Sequence, residues 1–203
     1  MEKRIYTIGH SNHPIQYFLE MLLAHSVDCV VDVRSIAASR FNPQYNKKPF
    51  QSFLNENNIG YLHFDKEFGA RRTEPELFDQ TGMVDFEKVQ KSQSFATGVE
   101  RLVRGIEKGF TIALMCAEAD PLDCHRFSMV SSYLSKEGFK VLHILKDKTT
   151  LTNDELEIAL VDKYRKKISA FRAELFNGKS PLEAAFKLKN SAIGYRPDPN
   201  KMP

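Results

Sequence analysis

At 203 residues, 42% hydrophobic and 27% charged, the chain is long enough for one well-buried core and short for two. Its three cysteines are too few and too odd in number for a disulfide framework, and no apolar run approaches the ~20 residues that cross a bilayer. Residues 1–150 carry 19 basic and 19 acidic side chains, so the net charge of +3 comes from a tail with 10 against 7; this is not the concentrated basic face of a dedicated nucleic-acid binder.

Met1-Glu2-Lys3-Arg4 runs directly into the strand-like Ile5-Tyr6-Thr7-Ile8, not into an apolar leader, so a cytoplasmic protein without membrane association is expected. Gly9 ends that strand. Ile15, Phe18, Leu19, Leu22 and Leu23 then recur at helical spacing to about His25. Cys29-Val30-Val31-Asp32-Val33 is nearly continuous apolar, as in a parallel strand buried on both faces. A polar loop over 35–48 leads to a helix from Pro49 to about Asn57 and a strand over 61–64. A second long connection, 65–83, precedes helical spacing over 85–92 and from Phe95 to Ile106. The fourth strand is Phe110 to Cys116. After it, Asp120 as cap and Pro121 at the first position predict one helix over 121–137, followed by a fifth strand over 140–145.

Five strands alternating with helices predict an α/β fold: a mostly parallel, doubly wound sheet with helices on both faces. Residues 1–150 form this domain. Residues 151–203 read as a helical extension, with a long helix over 151–176, a second beginning at Ser180-Pro181, and a disordered last dozen residues.

In such sheets ligands bind beyond the carboxyl ends of the strands. The polar residues gather there: His10, Ser11, Asn12 and His13 after the first strand, Arg34 and Ser35 after the second, Cys116 and Glu118 after the fourth, then Cys124, His125 and Arg126. Asp32, between valines, needs a partner to offset burial, either Arg34 or a histidine of the first loop. Cys29 reads as a packing residue, and His63 and His143 as interior strand histidines.

Five segments resemble, in order, the motifs of a known family: Tyr6-Thr7-Ile8-Gly9-His10-Ser11-Asn12, Asp32-Val33-Arg34-Ser35, Ser39-Arg40-Phe41-Asn42-Pro43, Gly69-Ala70-Arg71-Arg72, and Met115-Cys116-Ala117-Glu118 with Cys124-His125-Arg126. The family is domain of unknown function 488, and the resemblance covers residues 4–146. It implies an α/β protein and carries no activity with it. The chain departs from the family pattern at Ala70, where a second glycine is usual, and at Ala37, where a proline is common.

The residues themselves support three readings of the site. The first is an enzyme, its reaction class open, acting on a small anionic substrate, phosphorylated or nucleotide-like. Ser11, Arg34, Arg71, Arg72 and Arg126 would bind the substrate, helped by the helix start near residue 121, and His10 or His125 would move protons with Glu118 and Cys116 nearby. The second makes Cys116 a nucleophile, against which the acids Glu118, Asp120 and Asp123 argue. The third is a metal site of Cys116, Glu118, Cys124 and His125. Its residue types suit zinc, but its spacing is not that of common structural sites, and no cofactor is expected on the first reading. Outside catalysis, the basic helix over 163–179 would suit a partner-docking module.

Overall fold

Ile5, Ile8, Val30, Val31, Ala113, Leu114 and Met115 are fully enclosed, because strands this apolar must be covered on both sides. The computed structural model describes residues 2–170 and 180–197. It has strands β1 (Arg4–Gly9), β2 (Cys29–Asp32), β3 (Gly60–His63), β4 (Ile112–Cys116), β5 (Lys140–Ile144) and β6 (Thr150–Thr152) in one sheet, ordered β3-β2-β4-β1-β5-β6. The first five are parallel and β6 is antiparallel to β5. The fold is therefore the expected doubly wound α/β class. The sixth strand was not anticipated: it is a three-residue edge directly before a helix, returned by a turn in which Lys148 takes a φ of 69°.

Helices α1 (Ile15–Leu23) and α2 (Lys47–Glu56) cover one face, where Phe18, Leu22, Phe50 and Leu54 pack on Ile8, Val30 and Met115. The opposite face is covered by α3 (Asp65–Phe68), α4 (Phe86–Gln90), α5 (Gln93–Glu107) and α6 (Ser132–Lys136), with Val89, Phe95, Leu102 and Leu134 against Val31 and Leu114. Caps set the helix starts: Asp85 accepts from the amides of Glu87 and Lys88, and Ser92 from Phe95. The chain leaves β1 toward β2 and leaves β4 toward β5, in opposite directions from neighbouring strands. Their carboxyl ends thus flank a switch-point crevice.

The single helix expected over 121–137 is not what forms. Asp120 caps only a 3₁₀ turn, Pro121–Asp123. Cys124 is then extended (φ −124°, ψ 145°), and a π-helical segment, Arg126–Ser131, leads into α6. No α-helix N-terminus faces the crevice here, so the dipole expected at residue 121 is not available.

The division drawn at residue 150 falls inside β6. Helix α7 (Asn153–Ala170) and α8 (Pro181–Ile193) pack through Leu156, Leu160 and Ala184 onto Phe127 of the π-helical segment. Helix α8 starts with a reciprocal capping box between Ser180 and Glu183. The stretch expected to continue the long helix over 171–176 lies outside the described residues. Of the last dozen, expected to be disordered, residues 192–197 are placed and 198–203 lie outside the described residues.

His143 on β5 is fully buried, its Nδ1 2.8 Å from the Thr7 hydroxyl. Burial, with the Arg126 charge adding to it, lowers its pKa to about 3. The unfolded chain therefore takes up a proton that the native one refuses. Stability is full above about pH 6.5 and falls as pH drops toward 3, by up to about 1.4 kcal/mol per pH unit for this group. Urea unfolding should show a lower midpoint at pH 5 than at pH 7. In His143→Gln the dependence should flatten; an equally steep fall in the variant would assign it elsewhere.

Candidate functional site

Asp32 and Arg34 build the first wall. Arg34 Nε and Nη2 donate to the two carboxylate oxygens of Asp32 at 2.9 and 2.6 Å, and Nη2 also donates to the Tyr45 carbonyl at 2.7 Å. Tyr61 donates its hydroxyl to Asp32 Oδ2 at 2.8 Å. The two charges are buried as a fully bonded pair, which meets the cost of enclosing Asp32.

The remaining Arg34 nitrogen, Nη1, lies 3.1 Å from His10 Nε2. A guanidinium only donates, so His10 Nε2 accepts, and its Nδ1–H donates to the Ser11 carbonyl at 2.8 Å. Burial and then the Arg34 charge lower the His10 pKa to about 4. His10, expected as an acid–base group, has both ring nitrogens committed and stays neutral. Its ring stacks on Tyr45 at 4.3 Å. Next to it Ser11 holds a left-handed φ of 45°, a costly conformation for a residue with a side chain, and donates its amide to the Ala117 carbonyl at 2.8 Å.

The second wall is the loop after β4. Gly9 permits its approach: a Cβ there would lie 1.9 Å from the Glu118 carbonyl oxygen. Arg126, fully buried, donates Nη1 to the Glu118 carbonyl at 2.6 Å and Nη2 to the Ala119 carbonyl at 3.1 Å. Arg72 likewise donates to the carbonyls of Lys66 and Glu67. Both arginines, expected on the substrate, hold backbone instead.

Between the walls lie Cys116, Glu118, Cys124 and His125. His125 Nε2 donates to the Val33 carbonyl at 3.1 Å, which turns Nδ1 toward Sγ of Cys116 (3.7 Å) and Cys124 (3.8 Å). The Cys116 thiol donates to Glu118 Oε2 at 3.0 Å. The extended backbone at Cys124 aims that sulfur back at the cluster, and the Arg126 amide donates to it at 3.3 Å. For the Cys124 thiol, burial alone would raise the pKa. The Cys116 thiol and the charges of Arg126 and His125 outweigh it and bring the pKa well below the usual value. Cys116 goes the other way, raised by burial and by the neighbouring Cys124 and Glu118 charges. Burial also raises Glu118, helped by Cys124. His125 is lowered by burial, but Cys124 and Glu118 more than reverse this and raise it.

These walls enclose a cavity of about 830 Å³. Cys116, Glu118 and His125 form its floor, and Cys124 lies behind them, off its surface. The sulfur favoured as thiolate is thus shielded, while the sulfur that reaches the cavity is held as thiol. That is a poor arrangement for a cysteine nucleophile. Ser11, Asn12, Ser35, Ser39 and Asn42 line the sides, with Arg71 and Arg196 at the rim. Arg71 lies over the Tyr195 ring at 5.7 Å, and Tyr195 and Arg196 come from the segment after α8. That last contribution carries no sequence signal, because nothing local marks residues 193–196 as part of a wall. The backbone bond from Val84 N–H to the Tyr195 carbonyl, 3.0 Å, fixes them there.

A family model described as Domain of unknown function DUF488 matches residues 14–134, more than half of the chain and most of both walls. No curated protein and no solved structure matches the chain.

Because Arg126 replaces solvent for two buried carbonyls, Arg126→Ala should cost about 3 kcal/mol or more in stability. Arg71→Ala, whose side chain is at the rim, should cost about 0.5 kcal/mol or less. Equal losses in chemical denaturation would contradict this division between structural and rim arginines.

Proposed function

We propose, from the premise that this chain belongs to the DUF488 family, that the cavity is the active site of an enzyme acting on a nucleotide-sized anionic substrate. The observation that carries the reading is a charge imbalance at the cavity. Among the described residues, Arg71 and Arg196 at the rim make no ion pair. The cavity's carboxylates are engaged elsewhere: Asp123 binds Lys163 at 3.1 Å and Lys189 at 3.0 Å, and Glu118 takes the Cys116 thiol. Arg71, stacked on the Tyr195 ring, and Arg196, which donates to the Thr81 hydroxyl at 3.4 Å near the Asp79 carboxylate, stand above polar walls and suit forked recognition of phosphate or carboxylate oxygens.

Chemistry at the floor favours an enzyme over a carrier. His125 has Nε2 tied to Val33 and Nδ1 turned to the sulfurs, and His10 is fully bonded, so neither is free to reach a substrate. Glu118 presents its carboxyl to the cavity with one side-chain partner, Cys116, and is the group placed to give or take a proton. Ser11, Asn12 and Ser35 would orient the uncharged part of the substrate.

A thermal-shift screen of inorganic phosphate and nucleoside mono- and diphosphates should give a saturable rise in melting temperature. Calorimetry should then show affinity weakened about tenfold or more in Arg71→Ala and in Arg196→Ala, with free-protein stability unchanged. No saturable shift, or a shift retained in both variants, would sink the reading.

A further inference from the structure

We propose that Cys116, Cys124 and His125 are a three-ligand site for a zinc-type divalent cation whose remaining coordination position opens on the cavity, with Glu118 beside it. This rests on the active-site reading above and deepens it.

The ligand atoms already have the spacing of a coordination shell. One Nδ1 and two Sγ atoms lie within 4.8 Å of one another, with the N···S separations at 3.7 and 3.8 Å. Metal–sulfur bonds of about 2.3 Å and metal–nitrogen bonds of about 2.0–2.1 Å in a tetrahedron place N and S about 3.6 Å apart. The N···S separations match this within a few tenths of an ångström, and the two sulfurs, within 4.8 Å of each other, need only draw together toward about 3.8 Å.

The orientation of His125 has the form that metal-ligating histidines take. Its far nitrogen donates to a backbone carbonyl, Val33 on the segment leaving β2, which fixes the ring and directs the other lone pair at the sulfurs. The ligands sit on anchored backbone. Cys116 ends β4 and its carbonyl accepts the His10 amide at 2.9 Å, while Arg126 pins the loop between the two cysteines through the carbonyls of Glu118 and Ala119. Arg126, next to the ligand histidine in sequence, does not point its charge at the site, because its guanidinium is directed at those carbonyls. Charge also balances: two thiolates neutralise a divalent ion, and the Glu118 carboxylate offsets Arg126.

Access decides between a closed structural site and an open one. Cys116, His125 and Glu118 face the cavity while Cys124 closes the back. Three protein ligands with a face toward a substrate cavity is the layout of a catalytic centre. The ion would polarise a substrate oxygen or hold a water there, with Glu118 placed to move its proton.

Metal analysis of the full chain purified in reductant without chelator should find a stoichiometric divalent transition metal, zinc first among them. The stripped, reduced protein titrated with Co²⁺ should develop thiolate-to-cobalt charge-transfer absorption in the near ultraviolet. Cys124→Ala and His125→Ala should each weaken cobalt binding about tenfold or more, whereas Glu118→Gln should keep the thiolate band. Should Cys124→Ala fail to fold, Cys116→Ser supplies the same comparison. Absence of the band in folded, reduced protein, or a band untouched by substitution of the ligands, overturns the proposal. So does a Cys116–Cys124 disulfide in place of bound metal when reductant is omitted, if the reduced protein also shows no band. Anion-induced thermal shift on the metal-free protein, with Arg71→Ala as control, reads the cavity proposal separately. Anion binding without cobalt binding defeats the metal site alone, and cobalt binding without anion binding defeats the substrate reading alone.

Discussion

The buried pair of Asp32 and Arg34 is the interaction around which the crevice is organised. Asp32 is fully enclosed at the end of a central strand, where an isolated carboxylate would be strongly disfavoured. Every contact that relieves it also ties down another part of the crevice. Tyr61 comes from β3, the Tyr45 carbonyl from the loop before α2, and His10 from the loop after β1. Such a network is a source of specificity more than of net stability, since a buried ion pair barely offsets its own desolvation. Its yield is geometric: a strand and two loops share one anchor, and His10 is stacked and hydrogen-bonded into place as a consequence.

The other arginines follow the same logic. Arg126 acts on loop carbonyls and Arg72 on last-turn carbonyls of α3 that lack helix or sheet partners, which is why they are buried while Arg71, one position before Arg72, stays at the surface. A cationic side chain in a loop near a ligand crevice is thus not by itself a ligand contact. The crevice here is built by guanidiniums facing inward and left open by two facing outward. Because the inward ones are directed at Asp32 and at backbone carbonyls, the charge available to a ligand among the described residues comes from the rim.

The succession of parallel strands, the two covered faces and the grouping of polar residues at the strand ends were legible in the sequence, because apolar runs and helical spacing are local signals. That Asp32 needs a partner was legible too, since only its burial had to be recognised, while the choice between Arg34 and a first-loop histidine came from the structure. The conformation of residues 121–131 was not. Asp120 and Pro121 are sound start signals, and they do start a turn, but whether it propagates depends on Cys124 being drawn back toward Cys116, a tertiary partner on β4. The π-helical segment that follows accommodates this register, and such segments are frequent at functional sites. Residues 193–196 were invisible for a related reason: their place in the cavity wall comes from contacts with residues 83 and 84, more than a hundred positions earlier.

The contact between Val84 and Tyr195 bears on how the protein matures during translation. Domains fold broadly from the N-terminus as the chain is made. The sheet can close once β5 has left the ribosome, and the anchored loops of both walls can settle with it. The cavity, however, lacks one side until residues 193–196 emerge and join Val84. A nascent chain would therefore hold its folded scaffold and its cysteine cluster for some time behind an open flank. The pocket is complete only after most of the buried surface of the sheet is already in place.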